Sequence, residues 1–223
     1  IDAITYSTDR WDDARKFFAD WGLKLASETP TRQNWVTLND CGVNVIRTDD
    51  PAYPAPIEAG PTLREVVWGV TDPAELDRLA LALASAPGFA DDRKTTGVLT
   101  ALDPHGLKIQ FRVSQKKKID AAGVPTNPWG DVRRIDTPSP IYERAEPVEV
   151  GHVVLFTDRL AEAVAFYQAL GFVTSDSYPG RGVFMRASAD GGHHDLFLLQ
   201  VPGKGTGLNH VAYTVRDIHE VFG

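Results

Sequence analysis

Three of the six histidines in the chain, His152, His194 and His210, open short apolar runs: HVVLFT, HDLFLLQ and HVAYTV. Neutral imidazole is a good ligand for iron, zinc, copper and nickel, so histidines gathered at one point would make a mononuclear metal site. A lone histidine on a sheet is more often a hydrogen-bonded structural residue. The case for chemistry rests on His152 and His210 together, because they open corresponding strands of two repeated units.

Successive side chains of a strand point to opposite faces. His152 therefore shares a face with Val154 and Phe156, and His210 shares one with Ala212 and Thr214. Carried on separate strands, the two imidazoles are expected to converge where the sheet curls round a cavity. His193 and His194 are adjacent, and parity with their neighbours barely separates them. Both also read as part of a polar turn after Asp190, Gly191 and Gly192. Tyr178, Tyr213 and Arg181 could line a pocket, although packing or solvation explains them equally well. His105 and His219 read as exposed turn and helix residues, and Glu143, Glu146 and Glu149 as surface charges.

The elements that must position these residues come from an internal repeat. ITYSTDRWDDARKFFADWGLKL, from Ile4, matches VVLFTDRLAEAVAFYQALGFV, from Val153, at a constant offset. Each copy reads as a strand, a helix stopped by Gly22 or Gly171, and three further strands. Ala14, Phe17, Phe18 and Trp21 recur at helical spacing, as do Leu160, Ala163, Val164 and Tyr167, and both stripes read as core. Asp9 is placed as the helix N-cap. Weaker copies start at Arg64, with Leu76, Leu79, Ala80 and Leu83 on one helix face, and at Asn209, with Ile218, Val221 and Phe222. At the positions matching His152 and His210 the first two units hold Ala3 and Glu65, so no metal is expected there. Pro125, Pro128, Pro138, Pro140 and Pro147 put a linker over 114–147, between units at 1–113 and at 148–223.

A net charge of -7 argues against nucleic acid as a partner, since phosphate binding needs an excess of Lys and Arg. The single cysteine, Cys41, fits a reducing compartment. No apolar run approaches the roughly 20 residues of a membrane helix. A cytoplasmic protein with no leader and no membrane partner is therefore expected. PGKGTG lacks phosphate-loop spacing, and no serine sits in a nucleophile elbow.

The paired units, with GHVVLFTD, AFYQALGF, HHDLFLL and GLNHVAYTV, resemble the vicinal oxygen chelate superfamily and, within it, the type I extradiol ring-cleavage dioxygenases. The resemblance implies an α+β fold in which tandem βαβββ modules pair into two curled-sheet domains, the fourth module being truncated at the C-terminus. It implies a metal-free N-terminal pair and a C-terminal domain holding Fe(II), or Mn(II), through His152, His210 and a glutamate expected beyond Gly223. It selects His194 as the catalytic acid-base. The implied reaction inserts O2 into a catechol-type ring to give a ring-opened semialdehyde, and a homo-oligomer is expected. Glyoxalase-like isomerases or lyases and non-catalytic antibiotic-binding proteins of the same superfamily are the alternatives.

Overall fold

The computed structural model of the protein describes residues 1–123, 130, 138 and 140–222. The linker expected over 114–147 therefore falls partly outside the described residues, as do Pro125, Pro128 and Gly223.

The repeat read from the sequence appears as three modules of one strand, one helix and three strands, followed by the strand and helix of a fourth. The first comprises β1 (Ala3–Ser7), α1 (Trp11–Asp20), β2 (Lys24–Thr29), β3 (Arg32–Val36) and β4 (Gly42–Ile46). The second has β5 (Thr62–Val70), α2 (Pro73–Leu83), β6 (Ala90–Asp92), β7 (Val98–Leu102) and β8 (Lys108–Val113). The third has β9 (Glu149–Phe156), α3 (Leu160–Ala169), β10 (Val173–Tyr178), β11 (Gly182–Arg186) and β12 (Leu196–Leu199). Of the fourth, β13 (Gly207–Thr214) and α4 (Ile218–Phe222) are described.

The first two modules merge into one eight-stranded sheet, β2-β3-β4-β1-β5-β8-β7-β6, and the rest form a five-stranded sheet, β10-β11-β12-β9-β13. In both, the opening strands of consecutive modules lie side by side and antiparallel. Ala3 faces Val67 and Thr5 faces Glu65 in one; His152 faces Ala212 and Val154 faces His210 in the other. A local two-fold through Ile4 and Val66, or through Val153 and Val211, therefore relates Ala3 to Glu65 and His152 to His210. None of the described helices is long and apolar enough to cross a membrane.

Local chemistry explains the helix ends. Asp72 caps α2 by accepting from the Ala74 amide at 2.8 Å, ahead of Pro73 in the first turn. α1 departs from expectation: its N-cap is Arg10, with no side-chain cap, and Asp9 instead accepts from the Thr48 amide at 3.3 Å. Both α1 and α3 stop at a glycine in the left-handed region, Gly22 at φ 88° and Gly171 at φ 97°.

Each helix buries only a narrow stripe. Leu76, Leu79 and Leu83 of α2 are buried, as are Ala163 and Tyr167 of α3. On α1 only Phe18 is buried, while Phe17 and Trp21 stay 55% and 44% exposed, so the expected core stripe is half surface. Their rings stack on each other at 5.6 Å, and Trp21 meets Tyr213 edge-on at 5.9 Å. The short α4 inverts expectation, because Ile218, Val221 and Phe222 are exposed whereas Glu220 is buried. The Glu220 carboxylate accepts from the Arg216 and Glu146 amides at 2.7 and 2.8 Å and pairs with the Arg216 guanidinium at 2.6 Å. Satisfying those donors outweighs burying one turn of apolar side chains.

The two sheets touch through a buried contact and a partly buried one. Trp68 meets Phe172 edge-on at 4.8 Å, and Arg78 donates to the Leu170 carbonyl at 2.9 Å. His105, expected to be exposed, has a side chain with no exposure. One ring nitrogen lies 3.0 Å from Asp103 and the other 2.7 Å from the Thr157 hydroxyl, and Asp103 also accepts from the Tyr167 hydroxyl at 3.0 Å. A hydrogen-bonded network thus ties the β7–β8 turn to α3 and to the end of β9.

Candidate metal centre

His152 sits on β9 and His210 on β13, on the same face and diagonal to each other across the strand pair. Their Nε2 atoms are 3.1 Å apart. Adjacency of the two strands brings them together, so the curl that the sequence reading invoked is not what makes them converge. Two nitrogen lone pairs at that distance repel unless a proton or a cation lies between them. With the nitrogen–metal distance of about 2.1 Å found in imidazole sites, nitrogens so spaced subtend about 95° at a shared ion, which suits adjacent positions of an octahedron. The pair therefore fits a first-row divalent metal. Among the described residues no three His, Cys, Asp or Glu side chains are grouped to hold one ion.

Burial keeps His152 neutral. Partial burial, followed by the neighbouring His194 and His210, pushes the His152 pKa down from 6.5 to about 4. His210 has its Nδ1 2.6 Å from the Asn209 side-chain oxygen. An amide oxygen only accepts, so Nδ1 carries the proton and the Nε2 lone pair faces His152.

His193 and His194 lie in the loop before β12, not on the strand. The polar-turn reading of that stretch is the one the backbone adopts, yet it does not take His194 away from the pair: the His194 ring lies 4.2 Å from that of His152. His194 is also 2.8 Å, Nδ1 to Nδ1, from His193, which leans toward Asp176 at 3.7 Å. Phe184 borders both rings at 5.0 Å and stacks on Phe197 at 3.9 Å, giving the site an aromatic wall. Burial lowers the His194 pKa, and His193 lowers it further.

The other flagged residues divide. Tyr178 stays exposed near Phe184, and Arg181 lines a separate groove with Asp158, Gln200 and Lys204. Tyr213 turns to the other sheet, its hydroxyl 3.4 Å from that of Tyr6. Glu149 accepts from Asn39 and Lys116 at 3.1 Å, and Glu146 pairs with Arg216 at 3.2 Å. Asn209 was missed altogether, because its role depends on a break in strand alternation that composition does not signal.

The N-terminal sheet shows what the same seat looks like without the histidines. Ala3 offers no donor, and Glu65 is buried and paired with Lys108 Nζ at 2.9 Å. The Thr5 hydroxyl donates to Glu65 at 3.0 Å, and the Lys108 ammonium lies 4.5 Å over the Tyr53 ring. That carboxylate is already neutralised.

Comparison with known proteins gives this geometry a context. Residues 149–223 match the Glyoxalase/Bleomycin resistance protein/Dioxygenase superfamily. Over 126 residues the chain is 32% identical to metapyrocatechase 2 of Cupriavidus necator, covering 53% of this chain and 37% of that protein. The match thus spans little more than a third of the curated relative. Among solved structures, a Mn(II)-bound glyoxalase from Novosphingobium aromaticivorans superposes with a TM-score of 0.68 at 21% identity, over 100% of this chain and 67% of the other. A catechol 2,3-dioxygenase gives a TM-score of 0.68 at 19% identity, over 100% of this chain and 74% of the other. At those identities the likeness is one of fold. Residues 149–223 thus match the model of the Glyoxalase/Bleomycin resistance protein/Dioxygenase superfamily, and the chain shares with these solved structures a fold of curled sheets built from βαβββ modules.

Proposed function

We propose that the protein is an Fe(II)-dependent extradiol dioxygenase acting on a catechol-type ring, with His152 and His210 as metal ligands and His194 as the acid-base. The observation that carries this reading is the 3.1 Å approach of two imidazoles on one sheet face, beside a third histidine. The metapyrocatechase and catechol dioxygenase relatives support the substrate class.

When bound, a divalent metal lowers the pKa of a coordinated phenol and gives substrate and O2 a common site. The chain's own groups supply the rest. Burial keeps the His152 imidazole neutral at neutral pH, so no imidazolium has to be discharged there first, and His210 turns its Nε2 lone pair to the shared space. His194 is neutral for the same reason, and with Nδ1 turned to His193 its Nε2 is free to take the catechol hydroxyl proton and return it later. The Phe184 and Phe197 rings form an apolar wall against which an aromatic substrate would pack.

The test is O2 uptake by Fe(II)-loaded protein with a panel of catechols, followed by the absorbance of a semialdehyde product. Uptake that requires catechol, and that is lost in both His152→Ala and His210→Ala, supports the assignment. A protein that binds Fe(II) yet consumes no O2 with any catechol sinks it. The similarity to the Mn(II)-bound glyoxalase favours a second reading, a glyoxalase-like isomerase. Turnover of a hemithioacetal without O2 would mark that case.

A further inference from the structure

The two opening strand pairs share an irregularity. In β13 the register against β9 jumps from Leu208 to His210, leaving Asn209 as an extra residue. In β5 the register against β1 jumps in the same way from Leu63 to Glu65, leaving Arg64. Both are β-bulges of one residue, placed immediately before the two-fold-related positions His210 and Glu65.

The bulge residues do different work. Arg64 is buried and reaches the carbonyls of Thr48 and Pro54 at 2.9 and 2.6 Å, bracing the loop before β5 and making no hydrogen bond to Glu65. Asn209 is exposed and turns onto its own neighbour, its side-chain oxygen 2.6 Å from His210 Nδ1. Side chains adjacent along a regular strand point to opposite faces and cannot meet, so this contact exists only because the bulge breaks the alternation.

We infer that Asn209 is a positioning residue: by holding the proton of His210 on Nδ1, it keeps the Nε2 lone pair aimed at the space shared with His152. This rests on the metal-site reading above for its purpose, but not for its observation. In the metal-free protein the arrangement makes His152 Nε2–H the donor and His210 Nε2 the acceptor across their 3.1 Å separation. An unrestrained imidazole favours the opposite tautomer, with the proton on Nε2, which would leave both rings presenting hydrogens to each other. Partners on the distal nitrogen of a ligand histidine fix its tautomer and orientation, and losing one costs 10–100-fold in metal affinity.

The test uses two variants and two readouts. Nitrogen-15 chemical shifts of the metal-free protein report which His210 nitrogen is protonated, and calorimetric titration with Mn(II) reports affinity. The native protein is expected to show Nδ1–H at His210, and Asn209→Ala to shift toward Nε2–H with affinity down by about 10–100-fold. Asn209→Asp, which keeps an acceptor, should restore the native tautomer and affinity. Asn209 is exposed, so neither variant threatens the fold. A native His210 protonated on Nε2, or an Asn209→Ala protein with unchanged tautomer, overturns the inference. If the tautomer responds as stated while the native protein takes up no Mn(II), Asn209 keeps its positioning role and the metal-site reading falls instead.

Discussion

Replacing Tyr167 with phenylalanine removes one hydroxyl from the network that joins the two sheets and nothing else from the packing. That hydroxyl donates to Asp103 at 3.0 Å, and the same carboxylate accepts from the amides of His105 and Leu107 and from the His105 ring, at 2.8, 3.0 and 3.0 Å. Those three donors remain in Tyr167→Phe, so the carboxylate is not stripped. The loss is one hydrogen bond to a charged acceptor, about 1.5–3 kcal/mol. For a chain of this size that is a fall in Tm of about 3–12 °C. Asp103→Ala instead leaves the Tyr167 hydroxyl and the His105 ring buried without their acceptor, and it should cost more than Tyr167→Phe. Urea unfolding of the two single variants and the double variant closes a cycle. Coupling above about 1 kcal/mol is expected, because the partners share one bond, Asp103 in the β7–β8 turn and Tyr167 on α3. Additivity within about 0.5 kcal/mol would refute the reasoning, since contacting residues in one network do not act independently.

Other expectations follow from the same structure. Lys108→Met leaves the buried Glu65 carboxylate without its partner and should destabilise by about 3–5 kcal/mol, while adding Glu65→Gln recovers most of that, read by thermal unfolding. Because His152 is held at about 4 against 6.5 unfolded, the unfolded chain binds more protons between those values. Stability of the metal-free protein should therefore fall as the pH drops from about 6.5 to about 4, and His152→Leu should flatten that part of a urea-midpoint profile. Gly22→Ala should be far more damaging than Gly171→Ala. Both glycines have positive φ, but a Cβ at Gly22 would run into the backbone carbonyl of Ala145, whereas at Gly171 it meets only the end of the flexible Arg78 side chain.

The placement of His152 and His210 was legible because it depends on local pattern twice over. The repeat identified the strands as equivalent, and alternation gave each histidine a face. What could not be read depends on partners distant in sequence or on departures from regular geometry. His105 does lie in the β7–β8 turn, but its burial could not be read, because Thr157 comes from another module. Phe17 and Trp21 have the spacing of a buried stripe, yet they stay 55% and 44% exposed, with Tyr213 meeting only the edge of Trp21. Glu220 reads as the polar side of a short helix, and only the fold reveals the amides it serves. The strand Ala90–Asp92 carries almost no apolar alternation and forms because β7 offers it an edge.

Lys108 has a consequence for how the molecule responds to its surroundings. An ammonium group tethered to the backbone cannot be chelated, exchanged or starved away, so the charge balance inside the N-terminal sheet never depends on what ions the medium offers. The C-terminal seat holds two imidazoles where the N-terminal one has an alanine and the Glu65 carboxylate. Of two seats built to one plan, the N-terminal one carries its counter-charge in its own sequence.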